Sequence, residues 1–425
     1  MTLMWSRRRF AAACSSALAL PASAQFRLEI SGVSATQIPL AIVPLRGEAA
    51  SGVELSAVIR ADLDRSGAFR TLALAQPLDE RSPLPQQDLR AAGADAALTG
   101  SVTRTADGTF DVRYKFWDVI RGQEHFARAT KAAAGDLRLA AHRIADEIFE
   151  KLTGEKGVFA TRIAYVVKAG RQFTLNVTGA DGEGGSVALT SNEPIISPAW
   201  SPDGRELAYV SFETQKAVVM VQDVLTGKRG PVANFRGSNS APAWAPNGRE
   251  LAVTLSRDGP AQLHMVNRDG SGTPRRLTAS SAIDTEPVFT SDGRTVYFVS
   301  DRGGGPQIYR VAAAGGSVER VTFTGSYNIS PAISPDSGTL AYVARAGNSF
   351  RITTLDLANG AVRTLTDTHD DESPSFAPNG RLLVYASRAQ GRDVLMTTTL
   401  DGKIKTRLLS SGVDMREPAW GPFVR

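Results

Sequence analysis

The chain has 425 residues, 42% hydrophobic and 21% charged, with 48 Lys and Arg against 43 Asp and Glu for a formal net charge of +5. That length and apolar content suffice for about two or three domains, and a single cysteine excludes a disulfide framework. The positive excess is no nucleic-acid signature, because Arg7, Arg8 and Arg9 sit in a leader whose loss leaves +2, and no basic stripe interleaved with stacking aromatics accompanies it.

Residues 1–24 read as a cleaved signal peptide: the basic Arg7–Arg9, an apolar small-residue stretch from Phe10 to Leu20, and Ala22, Ser23 and Ala24 before a cut near Gln25. Ser6 to Phe10 also fits a twin-arginine signal, so both that route and the general secretory route stay open. Cys14 falls inside the leader, which leaves the mature chain without thiol chemistry. No other segment has the ~18 consecutive apolar residues of a membrane span.

From Gln25 to Val33 apolar and polar residues alternate, with Phe26, Leu28 and Ile30 on one side and Glu29 on the other. Such a terminal strand either opens the first sheet or detaches and adds to the edge of another protein's sheet. To about Glu155 the pattern is mixed. Ile38 to Leu45 reads as a buried strand, and Ser51 with Glu54 as a capping box for a helix with Leu55, Val58, Ile59 and Leu63 on one face and Gly67 as its stop. Ala96–Thr103, Phe110–Val119 and Glu124–Thr130 read as strands joined at Asp107-Gly108 and Arg121-Gly122. A second helix, Leu137 to Leu152, lines up Leu137, Ala140, Ala141, Ile144, Ile148 and Leu152.

Beyond it one phrase recurs. Pro-Ala-Trp-Ser-Pro-Asp-Gly and its variants start at Pro198, Pro242, Pro287, Pro331, Pro374 and Pro418, a spacing of 43 to 45 residues. A period of about 44 with several short strands per unit is the spacing of propeller blades. Each copy reads as strand, tight turn, strand, followed by a third apolar run such as Val218–Val221, Leu263–Val266 or Ile308–Val311, then a Gly turn and a fourth strand. The sixth copy stops short, and the missing strand stands upstream at Arg162–Val167. The expectation is an N-terminal α/β domain over 25–155 and an all-β six-bladed propeller over 156–425, closed by that early strand.

Nothing in the sequence calls for catalysis. The histidines His125, His142, His264 and His369 have no metal-ligand spacing, and neither a nucleophile elbow nor a phosphate-cradling loop occurs. No cofactor and no metal are expected. Trp200, Trp244, Phe289, Ile333, Phe376 and Trp420 recur at one repeat position and read as packing between blades. Asp203, Asn247, Asp292, Asp336 and Asn379 recur in the tight turns and read as turn acceptors. The loops that precede each proline crowd one channel mouth and carry Glu193, Asp284, Glu286, Asp370, Asp371, Glu372, Asp414 and Glu417 against Arg416. Either this is a solvated rim, or it focuses a negative field on a basic or dipole-bearing partner.

Signal peptide, α/β domain, the junction Leu152 to Val167 and six Pro-x-Trp-Ser-Pro-Asp-Gly copies together resemble the TolB family, periplasmic propellers of the Tol-Pal envelope system. The resemblance covers the whole mature chain. It implies a monomeric scaffold in place of an enzyme, one that binds the peptidoglycan-associated lipoprotein through the propeller and TolA through the N-terminal segment, and supports outer-membrane invagination at division and envelope integrity. Asp284-Thr285-Glu286-Pro287 matches the family's Asn-Thr-Glu-Pro loop, which carries Thr285 and Glu286 over as contacts. Some members have His-Asn-Gly-Ala-Pro where this chain has Ser238 to Pro242, so Ala241 is kept and Ser238 departs. The expected lipoprotein face is Glu193, Ser238, Ala241, Asp284, Thr285, Glu286, Tyr327, Asn328, Asp371, Glu372, Arg416 and Glu417, with Tyr327 as an aromatic anchor. The expected TolA segment is Phe26, Leu28, Glu29, Ile30 and Val33. The competing reading is an enzyme or glycan binder working at the channel mouth.

Overall fold

The computed structural model describes residues 37–423 except 75, 390 and 409–412. The expected leader and the expected TolA segment, with Phe26, Leu28, Glu29, Ile30 and Val33, lie outside the described residues.

The head is built on β1 (Ile38–Ile42), α1 (Leu55–Arg65), β2 (Phe69–Ala73), α2 (Gln86–Ala91), β3 (Ala96–Arg104), β4 (Phe110–Asp118), β5 (Gln123–Ala132) and α3 (Leu137–Thr153). Its sheet runs β2-β1-β3-β4-β5, with β1 parallel to β2 and β3 and the rest antiparallel. Alternation along β1 sends Leu40 and Ile42 into a core with Leu55, Ile59 and Leu63 of α1 and Ile144 and Ile148 of α3, while Ala41 faces Leu89 of α2. The sequence signals miss β2 and the short α2, whose apolar residues are too few to set a period.

Two expectations fail in the head. β1 ends at Ile42 and not at Leu45, because Pro44 brings no N–H to continue the ladder. The capping box does not form: the Ser51 hydroxyl donates to the Glu48 and Val53 carbonyls at 2.7 and 3.0 Å. Glu48 caps α1 in its place, accepting from the Ser56 amide at 2.9 Å and the Ser56 hydroxyl at 2.6 Å. Gly47 and Gly52, at φ 83° and 78°, turn the short 3-10 segment between them so that this carboxylate folds back onto the helix start.

Among the described residues, six four-stranded antiparallel sheets follow. Their innermost strands are Ile195–Trp200, Asn239–Trp244, Asp284–Phe289, Asn328–Ile333, Asp371–Phe376 and Asp414–Trp420, and each touches the next around a closed ring. We number the blades 1 to 6 in that order. Blade 6 joins Asp414–Trp420 to β6 (Arg162–Ala169), β7 (Gln172–Gly179) and β8 (Ser186–Ser191), with Met415 opposite Val167 and Trp420 opposite Ile163. The early strand thus closes the ring.

The recurring aromatics sit between blades. The Trp244 indole donates to the Ala199 carbonyl and the Trp200 indole to the Ala419 carbonyl, both at 3.1 Å, and the Trp420 indole donates to the Thr161 hydroxyl at 2.8 Å. The turn acids act locally, as in Asp203, which accepts from the Ser201 hydroxyl at 2.6 Å and the Arg205 amide at 3.1 Å.

The head sits on the turn side of blades 5 and 6. Arg381 of a blade 5 turn pairs with Glu155, and the Asn379 side chain donates to the Lys156 carbonyl at 3.0 Å. The tighter contact is a buried charge network. His142 on α3 bonds Asp62 on α1 at 2.6 Å and Asp181 in the β7–β8 hairpin at 3.2 Å, Arg138 donates to Asp181 at 2.8 Å, and Arg65 to Asp62 at 2.8 Å. Burial pushes the His142 imidazole down, but its hydrogen bonds to Asp181 and Asp62 outweigh that and raise it to about 9.

Two outcomes are expected. Trp420→Ala removes an interblade filler and the indole bond to Thr161, lowering propeller stability by about 3–5 kcal/mol, read as a shift in its urea transition. For His142, a folded value near 9 against the ordinary 6.5 means that its contribution is full below pH 6.5 and is lost as pH rises through 9. Unfolding free energies at pH 6 to about 9.5 should therefore fall more steeply in the wild type than in His142→Gln, and parallel curves would refute the clamp.

Candidate functional site

The site is the channel mouth on the face opposite the head, where each innermost strand begins. Six residues there, Ser197, Ala241, Glu286, Ser330, Ser373 and Glu417, have φ between 47° and 55° although none is glycine. Each stands directly before a repeat proline. At every one the pairing with the second strand slips: Ser197 and Pro198 oppose Tyr209 alone, and Glu286 and Pro287 oppose Phe298 alone. The same slip recurs in blades 2, 4, 5 and 6. The repeat is therefore a six-fold ring of β-bulges in the left-handed region, a conformation costing ~1–2 kcal/mol per residue that the surrounding sheets hold.

Glutamate occupies this position twice. The Ser330 amide donates to Glu286 at 2.7 Å, and the Ser197 amide donates to Glu417. Each carboxylate thus ties its own blade to the next, at blades 3 and 6, which face each other across the ring. Ser197 and Ser330 serve here through their backbone amides, which residue type alone does not reveal; the signal in the sequence is their fixed place before proline.

The structure separates the expected face into two sets. Thr285, Glu286, Glu372, Arg416 and Glu417 gather at the mouth, with Glu372 exposed and the others half-buried. Ala241 lies in the bulge ring, Ser238 is exposed on the rim, and Glu193 accepts from the Gln215 side chain at 3.1 Å. Tyr327 is half-buried and packs edge-on against Phe350 at 5.9 Å. Asp284, Asn328 and Asp371 are a correction, since all three are fully buried and none offers its side chain to a partner. Arg302 donates to both Asp284 oxygens at 2.9 Å, the Asn328 amide to Gln307 and Thr324 at 2.8 and 2.9 Å, and Thr368 to Asp371. With Asn239 they form one repeat position, the polar first residue of an innermost strand, which pegs the preceding loop. Sequence reasoning misses Asp393, which pairs with Arg416 at 2.5 Å.

Burial pushes Glu417 up to about 7; the Ser197 amide opposes the rise and Glu372 adds to it, as does Glu286. Burial likewise raises Glu286, against the Ser330 amide. The arrangement accepts hydrogen bonds and positive charge. Among the described residues no group of three or more His, Cys, Asp or Glu is placed to hold a metal. The histidines are engaged elsewhere: His125 stacks on Phe116, His264 bonds the Gln262 carbonyl and His369 the Ser349 hydroxyl.

Ionising Glu417 opposes folding, since its folded value near 7 exceeds the ordinary 4.5; the cost is absent below pH 4.5 and complete above pH 7. Glu417→Gln keeps an acceptor for the Ser197 amide. It should match the wild type in stability at about pH 4 and exceed it by up to about 3 kcal/mol at about pH 8. Urea unfolding at both values checks this, and equal stability at the higher one would refute it.

Comparison with known proteins covers both structural units. The TolB amino-terminal domain family matches residues 26–125 and the TolB beta propeller domain family residues 149–424. A Tol-Pal system protein TolB of Bordetella pertussis is 53% identical over 406 residues, 95% of this chain and 93% of the relative. One of a Polaromonas species is 57% identical over 406 residues, 95% of each. The crystal structure of TolB from Acinetobacter baumannii superposes with a TM-score of 0.83 at 38% identity, covering 91% of this chain and 97% of that one. Head, closed six-bladed ring and full-length similarity agree, and the chain belongs to the TolB family of Tol-Pal system proteins.

Proposed function

We propose that the protein is a non-enzymatic periplasmic scaffold of the Tol-Pal system, exported by its leader and acting as a monomer. It binds the peptidoglycan-associated lipoprotein through the channel mouth and TolA through the mature N-terminal segment, and so supports outer-membrane invagination during division and envelope integrity. The observation that carries the reading is the mouth itself. Glu286, Glu372 and Glu417 sit beside Thr285 and Arg416 on the face the head leaves open. Carboxylates held at fixed positions with low-dielectric walls around them attract donors and cations, and they give orientation and on-rate to a docking partner. The open edge of such a site suits a protein surface.

The test is recovery from the native envelope. Mature chain 25–425, tagged and mildly crosslinked, should co-purify the lipoprotein, and Thr285→Arg with Glu286→Lys should reduce recovery at least about tenfold, as expected for reversal at a central contact. Recovery of no protein partner, or equal recovery by the variant, would overturn the lipoprotein reading. Loss of TolA from a chain that lacks residues 25–33, with the lipoprotein retained, is the matching expectation for the N-terminal segment.

A further inference from the structure

A six-bladed ring poses a problem of register. The bulge ring repeats six times, but its carboxylates stand only at blades 3 and 6, so a partner that read Glu286 and Glu417 alone would find two similar settings half a turn apart. Something outside the bulge ring must break the degeneracy.

The hairpins joining the second and third strands of each blade stand on the same face, further out. Pairing shows this directly: Asp284 lies opposite Ser300, and Ser300 opposite Gln307, so the 300–307 hairpin caps the same edge of blade 3 that the mouth loop begins. In blades 1 to 3 hairpin cations have acids beside them. Each of these hairpins holds one cation and one acid, Lys216 with Glu213, Arg257 with Asp258 and Arg302 with Asp301, while Glu213 is itself held by Arg229 at 2.7 Å and Arg302 by Asp284 at 2.9 Å. In blades 4 to 6 positive charge is in excess. Arg345, Arg388, Lys168 and Arg171 are all exposed, and the only acid in those three hairpins is Asp393, 4.0 Å from Arg388 and closer to Arg416 at 2.5 Å. Inside this arc lie Asp370, Glu372 and Glu417. On one half of the face, therefore, sign separates radially, with acids at the mouth and cations outside, whereas on the other half the hairpins carry both signs.

We infer that this cationic crescent over blades 4 to 6 sets the rotational register of the docked lipoprotein by pairing with an acidic flank on its soluble domain. The inference rests on the lipoprotein reading of the mouth and adds the chemistry of the partner: donors or cations where it enters the channel, and carboxylates on one side only. Rim charges act mainly on encounter rate and register, are screened beyond about 8–10 Å at ordinary salt, and disfavour wrong settings by placing like charges together.

The experiment compares two double reversals of equal charge. Lys168→Glu with Arg345→Glu alters the crescent, and Lys216→Glu with Arg257→Glu alters the hairpins of blades 1 and 2 by the same amount. Binding of the purified soluble domain of the lipoprotein is measured by calorimetry and stopped flow at about 0.01 M and about 0.15 M salt. The crescent variant should lose at least about tenfold in affinity at low salt, mostly in association rate, and markedly less at high salt; the control should change by about twofold or less. Equal losses in the two variants, or an unaltered crescent variant, would overturn the register proposal. If Thr285→Arg with Glu286→Lys abolishes binding while the crescent variant binds normally, the lipoprotein reading stands and the crescent falls. If wild type itself does not bind the domain, both fall. Tight binding of a polyanionic glycan to the crescent with lipoprotein affinity unaltered would reassign the cations and likewise overturn the proposal. Unchanged thermal unfolding of both surface variants excludes misfolding as the cause.

Discussion

The antiparallel pairing of β6 with Asp414–Trp420 is the constraint on which the rest depends. It joins strands from the two ends of the propeller segment, and without it blade 6 is a single strand beside an unpaired three-stranded sheet. An open ring would present two sheet edges to solvent, which invite association with other chains. Closing it fixes the diameter of the mouth and hence the separation of Glu286 and Glu417. The contact is also far apart in sequence, so it carries a larger loop-closure entropy cost than the pairings within the other blades.

The bulge ring follows from that closure. Six non-glycine residues in the left-handed region are each unfavourable locally, and they persist because the neighbouring strands overdetermine them. The geometry turns backbone amides toward the ring, and two glutamates three blades apart make use of it, each crossing to the next blade. The channel mouth and the interblade ties thus share residues. The same carboxylates that stitch blades together face the channel mouth, and burial there raises Glu417 to about 7.

Blade 6 also carries the head. Asp181 in its β7–β8 hairpin meets His142 and Arg138 of α3, while the innermost strand of the same blade places Arg416 and Glu417 at the mouth. One blade therefore bears both the ring closure and the head clamp in addition to part of the channel mouth. A doubly hydrogen-bonded imidazole between two aspartates is a directional joint, and it is strong only while every member stays paired.

Much of this was written in the sequence. The proline spacing set the blade number, the early Arg162–Val167 run identified the closing strand, and the turn acids and interblade aromatics kept the local roles that their residue types suggest. Those features depend on short-range chemistry: turn geometry, strand alternation and the bulk needed at each interface. Tertiary structure decided the rest. A bulge shifts the alternation of a strand by one residue, so the acids of the loops could not be sorted from sequence into buried pegs, such as Asp284 and Asp371, and mouth groups, such as Glu286 and Glu372. The Glu48 cap, the partnership of Asp393 with Arg416 and the His142 network likewise join residues whose approach is set by packing between elements, and no local pattern records it.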